Sequence, residues 1–331
     1  MAYTQLTLQD RYVIYHLRLF GLTFREIGRR LNRHHTTICR EVERNRPRYF
    51  DSVYWHEWAQ TQAIERRRKP RHERKRDTPG LVDYVERGLR ADWSPEAIAG
   101  RLAVDHPQDV SMRVSPETIY RWVYRDASKG GLFYTRLRWQ HKKCRTQKRY
   151  GTGRGLLPGR TGIAERPAIV ALRERFGDWE GDTVEGAKGL GHIASHVERK
   201  SRFLVAAKLA NKTAEAMARA SIAAFRRIPR TLRMTLTVDN GKEFARFKHI
   251  EEQTGLSVYF ADPYAAWQRG CNENTNGLLR RYFPKGCDFS AVSDEALALT
   301  VKKLNDRPRK CLNYWTPREV FLQAKRGALG M

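Results

Sequence analysis

A chain of 331 residues exceeds the usual span of one domain, so two or three domains are expected. Lys and Arg total 63 against 36 Asp and Glu, a formal net charge of +27 that favours a polyanionic partner. No apolar run approaches the roughly 18 residues of a membrane span, the N-terminus is polar, and five scattered cysteines lack any Cys-x-x-Cys pair, so a membrane protein, a secretory leader and a disulfide scaffold are not expected, and the thiols read as reduced, in a cytosol.

Thr7-Leu-Gln-Asp10 has the spacing of a capping box and predicts a helix that buries Val13, Leu17 and Phe20 and stops at Gly21. Thr23-Phe-Arg-Glu26 repeats the signature and opens a short helix with Ile27 and Leu31 inward. A tight turn through Asn32 and Arg33 leads into a third helix that buries Ile38 and Val42 and turns His34, His35, Thr36, Thr37, Arg40 and Arg44 outward. Three short helices of which the last is rich in Thr and Arg make a helix-turn-helix, whose outward side chains reach base edges and phosphates. Adjacent His34 and His35 beside Cys39 lack normal zinc-ligand spacing, which argues against a metal site there.

Residues 66–76 carry eight Lys or Arg against the single acid Glu73 and read as a basic linker. Beyond it, Ser94-Pro-Glu96 and Ser115-Pro-Glu117 share one design: Ser as N-cap, Pro at the first helical position, Glu against the helix dipole. With Leu81, Val85 and Leu89 on a preceding helix and Ile119, Trp122 and Val123 packing the last, a second helix-turn-helix is predicted, with Thr118, Arg121 and Arg125 outward. Residues 127–164 hold no acid and several glycines, and are expected to be a flexible, phosphate-tracking segment.

Strand signals follow at Asp178–Val184, His192–Val197, Phe203–Leu209, Leu232–Val238 and Ser257–Phe260, with helices at Thr213–Ile228 and Glu243–Gln253 and another opening near Glu273. Three strands in meander, then helix, strand, helix, strand and helix, describe a mixed α/β sheet of the ribonuclease-H-like, retroviral-integrase-like order. That order brings an acid of the first strand to Asp239, at the end of the fourth, and to Glu273, on the last helix. Period two leaves Asp178, Glu180 and Asp182 tied for the first place. A carboxylate triad suits two Mg²⁺ or Mn²⁺ ions that promote in-line phosphoryl transfer. Arg280, two turns after Glu273, and Arg269 are candidate DNA contacts, and Trp267 either stacks on a base or packs its loop.

The motifs Leu6-Thr-Leu-Gln-Asp-Arg-Tyr12, Trp93-Ser-Pro-Glu-Ala-Ile-Ala-Gly-Arg-Leu102, Ser115-Pro-Glu-Thr-Ile-Tyr-Arg-Trp122, Trp179-Glu-Gly-Asp182 and Trp267-Gln-Arg-Gly-x-Asn-Glu-Asn274 span nearly the whole chain. In them the chain resembles bacterial DDE transposases of the insertion sequence 30 family. The resemblance implies that Asp182, rather than Asp178 or Glu180, joins Asp239 and Glu273 as catalytic and metal-binding acids. It also implies that the front of the chain recognises the terminal inverted repeats, and that strands are cut and joined through a circular intermediate. His34-His35 replaces the Ser-Pro that the family often carries there, which bears on base preference and not on fold.

The expected organisation is a helix-turn-helix domain over 1–49, a basic linker over 50–77, a second helix-turn-helix-like domain over 78–126, a basic flexible segment over 127–170 and a catalytic domain over 171–331. The expected partners are double-stranded terminal repeats and target DNA, bound by at least a dimer in the bacterial cytoplasm, at the nucleoid. A phage-type integrase or nuclease of the same fold, or a non-catalytic regulator derived from a transposase, are the competing readings.

Overall fold

The computed structural model describes residues 5–45, 53–68, 78, 80–137, 157–263 and 265–329. The chain divides into two compact units, Met1–Asp77 and Thr78–Met331.

The first unit contains α1 (Leu8–Leu19), α2 (Phe24–Arg30), α3 (His35–Arg44) and α4 (His56–Arg68). Both predicted capping boxes form, with the Thr7 and Thr23 hydroxyls accepting from the amides of Asp10 and Glu26. Gly28 lets α2 and α3 meet, because a Cβ there would stand 2.7 Å from the Arg33 carbonyl oxygen. The core gathers Leu6, Ile14, Ile27, Ile38, Val42, Tyr54 and Ala59.

Two expectations fail in this unit. The phase of α1 is shifted by one residue: Ile14 is fully buried, whereas Phe20 is 79% exposed. The cause is Arg11, turned inward so that its Nε donates to Glu41 at 2.6 Å and its Nη1 to the Leu6 carbonyl and Gln60 Oε1 at 2.7 Å each. Apolar spacing could not reveal a buried ion pair. Residues 56–68, expected in a linker, instead form α4, which packs on α1 with Tyr12 and Tyr15 against Trp55 and His56. Residues 69–77, which carry the rest of the basic run, lie outside the described residues.

The second unit begins with α5 (Leu81–Arg90), α6 (Pro95–Asp105) and α7 (Pro116–Ala127). Ser94 and Ser115 cap α6 and α7 as predicted, each with Pro at the first turn. Their core joins Leu81, Val85, Leu89, Ile98, Leu102, Met112, Ile119 and Val123. Phe133 and Leu137 pack on this core, and Leu157 packs on the sheet, so the expected flexible stretch over 127–170 is ordered at both ends. Residues 138–156 lie outside the described residues.

A short α8 (Ile169–Leu172) leads into the sheet: β1 (Asp178–Glu185), β2 (His192–Glu198), β3 (Leu204–Leu209), α9 (Ala214–Arg226), β4 (Thr235–Val238), α10 (Phe247–Thr254), β5 (Ser257–Phe260) and α11 (Gly270–Tyr282). The strand order is β3-β2-β1-β4-β5, with β1, β2 and β3 antiparallel neighbours and β4 and β5 parallel to β1. This is the ribonuclease-H-like arrangement expected from the element order. The helix expected from Glu243 starts later, at Phe247, because 242–244 form a separate 3₁₀ turn. Two further helices, α12 (Asp294–Asn305) and α13 (Pro317–Leu329), follow α11.

The sheet is buried on both faces. One face joins Trp179, Phe225, Leu236, Phe247, Val258 and Phe321, and the other joins Val184, Ile193, Val197, Leu278, Leu279 and Leu304. Every residue of β2 is buried. Among them His196 pairs Nε2 with the Ser221 hydroxyl at 3.0 Å and lies edge-on to Phe225. Burial pushes its pKa down to about 4, so the ring stays neutral when folded. Its contribution to stability is complete above its ordinary pKa of 6.5 and is lost as pH falls toward 4. Between roughly pH 6.5 and 5 this amounts to about 2 kcal/mol. Urea unfolding at the two pH values should show this loss in wild type and a flatter profile in His196→Gln; parallel profiles would remove His196 from the account.

The helical segment α5–α7 is docked on the later helices of its own unit. Asp92, buried and at φ +63°, accepts from Arg281 at 3.2 Å and from the Tyr282 hydroxyl at 3.0 Å, with Lys303 at 3.8 Å. Arg101 grips Glu319 with two nitrogens, at 2.5 and 2.7 Å. Tyr314 lies over Gly100 so closely that a Cβ there would stand 2.4 Å from its ring atoms.

Candidate active site

The three acids that period two left equivalent on β1 have different fates. Asp178 is fully buried and spent on Arg175, whose two nitrogens donate at 2.8 and 3.0 Å, and on the Thr235 hydroxyl at 2.7 Å. Glu180 is also fully buried, pairing with Arg199 at 2.8 Å and accepting from the Asn272 amide at 2.9 Å. Asp182, farther along the strand and beyond the last paired residues of β1 and β4, is half-buried.

There it meets Asp239, which follows β4. Arg269 stands between them, with Nη1 at 3.3 Å from Asp182 Oδ1 and Nη2 at 3.5 Å from Asp239 Oδ2. The second oxygen of Asp182 accepts from Asn276 Nδ2 at 2.9 Å. Asp239 is fixed by its own Asx turn, accepting from the Gly241 amide at 3.1 Å. Burial raises the pKa of Asp182; the Arg269 guanidinium opposes that rise and the charge of Asp239 adds to it.

The Trp-Glu-Gly-Asp run thus has four separate jobs. Trp179 fills the core and donates Nε1–H to the Leu232 carbonyl at 2.9 Å. Glu180 seats the N-terminal turn of α11. Gly181 leaves room for the neighbouring strand, since a Cβ there would press Val238 Cγ1 at 3.1 Å. Asp182 faces the site.

The run that opens α11 divides similarly. Gln268 closes the preceding loop through two 2.8 Å bonds with Asp262. Asn272, fully buried, donates to the Glu180 carbonyl at 3.0 Å and to the Ser195 carbonyl at 3.3 Å, bolting the helix to β1 and β2. Sequence reasoning passed over Asn272, Asn276 and Ser195, although Asn272 and Asn276 sit one turn apart on one helix face, a spacing that could have marked them.

Glu273 is exposed on the first turn of α11. It lies one turn before Asn276, which touches Asp182, and so shares that residue's face of the helix. The expected convergence of three carboxylates is partial. Asp182 and Asp239 come together around Arg269, Glu273 stays outside their contacts, and no group of three His, Cys, Asp or Glu side chains among the described residues is placed to hold a metal ion. Two carboxylates already facing one cation nevertheless form a hard-oxygen donor set of the kind that suits Mg²⁺ or Mn²⁺.

Other candidates fall in different places. Arg269, expected against DNA, is buried between the two acids. Arg280 donates Nη2 to the Glu185 carbonyl at 2.6 Å and its guanidinium lies 5.8 Å from the centre of the Phe289 ring. Trp267 is 71% exposed and therefore does not pack its loop. In the first unit His34 is the N-cap of α3, its Nδ1 held 2.7 Å from the Thr36 hydroxyl, while His35, Thr36 and Thr37 are half-buried and Arg40 and Arg44 exposed. On α7, the Thr118 hydroxyl bonds with Ser115, Arg121 lies 3.5 Å from Glu117, and Arg125 is exposed. No helix among the described residues is long and apolar enough to cross a membrane.

Comparison with known proteins agrees with this architecture. Residues 2–45 match the helix-turn-helix domain family and residues 173–266 the integrase core domain family. The chain is 39% identical over 318 residues to the transposase for insertion sequence element IS4351 of Bacteroides fragilis, covering 96% of this chain and 95% of the relative. It is 37% identical over 336 residues to transposase InsI for insertion sequence element IS30A of Escherichia coli strain K12, covering 97% and 84%. Against the transposase for insertion sequence element IS1086 of Cupriavidus metallidurans the identity is 35% over 326 residues, covering 97% and 95%.

Proposed function

The chain belongs to the insertion sequence 30 family of transposases, and from that premise we propose that Asp182, Asp239 and Glu273 are the carboxylates with which it cuts and joins DNA strands. The observation that carries the reading is the meeting of Asp182 and Asp239 around one guanidinium, with Glu273 on the adjoining helix face. Asp182, Asp239 and Glu273 would hold Mg²⁺ or Mn²⁺, two ions per site. Bound there, such ions lower the pKa of the attacking water or 3′-hydroxyl and stabilise the leaving oxygen.

The chain's own groups supply the rest. Arg269 keeps the two aspartates from repelling each other before the site is loaded, and Asn276 fixes which oxygen of Asp182 points inward. Glu180 and Asn272 hold the start of α11 against β1, so that Glu273 is carried on a rigid element. Trp267 is free to stack on a base beside the cut. The recognised DNA is the element's terminal inverted repeat, read by α3 with Arg40 and Arg44 and by α7 with Arg121 and Arg125. Joining two ends requires at least a dimer on DNA, and the reaction proceeds through a circular intermediate in the bacterial cytoplasm.

Purified protein given a labelled duplex of its candidate repeat and Mg²⁺ should cut at the 3′ end and join that end to a second duplex. Cutting without joined products would indicate a nuclease, and repeat binding with no metal-dependent chemistry a regulator. Asn276→Ala should leave repeat binding unchanged and lower the cleavage rate about 10- to 100-fold, the usual effect of removing a partner that orients a metal-binding carboxylate. An unaltered rate would reduce Asn276 to a packing residue.

A further inference from the structure

α4 lies outside the part of the chain that matches the helix-turn-helix family, and nothing described so far gives it a role beyond packing on α1. Its C-terminal turn and the outer face of α3 enclose a notch of about 470 Å³, lined by Thr37, Arg40, Arg44, Arg66 and Arg67 over a floor formed by Arg11 and Glu41. The four rim arginines are all exposed. None of them forms an ion pair with a carboxylate among the described residues. The one acid in the lining, Glu41, is already neutralised by Arg11 at 2.6 Å. Arg66 is held in place as well: its Nη2 donates to Asn45 Oδ1 at 2.6 Å, and Asn45 Nδ2 donates to the Glu41 carbonyl at 2.8 Å.

Four guanidinia around one notch repel one another unless an anion lies among them, and a planar fork of donors matches phosphate oxygens best. We infer that the notch between α3 and α4 is a phosphate-binding site that seats the DNA backbone alongside the groove entered by α3. Arg66 and Arg67 are then part of the DNA footprint, and α4 is a fourth element of the recognition domain. The inference rests on the reading of α3 as the recognition helix but adds contacts that the helix-turn-helix itself does not possess.

Phosphate contacts carry no sequence information and release counterions, which gives them a distinctive signature. Full-length wild type, Arg67→Gln, Arg66→Gln/Arg67→Gln and Arg67→Lys are compared by anisotropy across a salt series, on the repeat duplex and on an unrelated duplex of equal length. Arg67→Gln should lower the magnitude of the slope of log affinity against log salt by about 1, and the double variant by about 2. Both should weaken binding by the same factor on the two duplexes, on the order of 10-fold per arginine at low salt, and Arg67→Lys should keep the wild-type slope. Arg67 makes no side-chain hydrogen bond among the described residues, so its replacement tests the site without disturbing the Asn45 contact. An unchanged slope in Arg67→Gln, or a loss confined to the repeat duplex, overturns the inference. Wild type that binds neither duplex would instead overturn the recognition reading beneath it.

Discussion

Asp182→Asn and Asp239→Asn should each abolish strand cleavage and transfer, by about 10³-fold or more, and leave repeat binding within about twofold of wild type. The size follows from charge. In the folded protein the two carboxylates and Arg269 sum to one net negative charge, which would favour a divalent cation held by both acids. Converting either Asp to the isosteric amide brings that sum to zero, and the remaining carboxylate is satisfied by Arg269 alone. Losing several kcal/mol of transition-state stabilisation, at about 1.4 kcal/mol per decade, accounts for the expected factor. A second readout does not depend on turnover. Ca²⁺ or Mn²⁺ should raise the unfolding temperature of wild type, because an ion that binds only the native state stabilises it, and should leave both Asn variants unmoved. Glu273→Gln should lose chemistry as well, but with some of the thermal shift retained, since two carboxylates remain. Full cleavage by any one variant would remove that residue from the catalytic set.

The second large effect is on stability and concerns an acid with no catalytic part. Glu180→Ala should cost about 3–5 kcal/mol, because it leaves the Arg199 guanidinium buried without its partner. For a unit of this size that corresponds to a fall in Tm of roughly 6–20 °C by calorimetry. The loss should reach the active site too: the Asn272 amide forfeits its acceptor at the first turn of α11, so Glu273 is carried on a looser helix. Glu180→Gln keeps an acceptor and should be milder. Glu180→Ala/Arg199→Leu should recover part of the loss, because no charge is then left unpaired. A Tm for Glu180→Ala equal to that of wild type would show that the pair carries none of the stability argued for it.

These two acids, two residues apart on β1, show where sequence reading is strong and where it stops. Local physics was legible. Thr7, Thr23, Ser94 and Ser115 all cap where their spacing said they should, and β5 begins and ends where its apolar run does. The element order was enough to give the sheet and to bring an acid of β1 near Asp239, while the choice of Asp182 among three came from the family resemblance. What escaped depends on partners far away in the chain. Arg11 shifts the phase of α1 because Glu41 lies thirty residues on, and Glu180 turns structural because Arg199 and Asn272 close over it. Arg269, read as a DNA contact, bridges two acids instead. Composition shows how many charges a chain has, and only the fold decides which of them cancel. α4 was hidden by the same ambiguity, since three consecutive arginines look alike at the end of a helix and in a solvated linker.

The helix that carries Glu273 is fixed at both ends. Asn272 binds its start to the sheet, and Arg281 and Tyr282 bind its end to Asp92, between α5 and α6. One rigid strut therefore measures the distance from the α5–α7 segment to the acidic pair. DNA held by α7 would meet those acids at a constant number of base pairs from the sequence it is held by. Cleavage would then be placed by length, so that inserting half a helical turn between the bound sequence and the end of the element would misdirect the cut even with every recognised base intact.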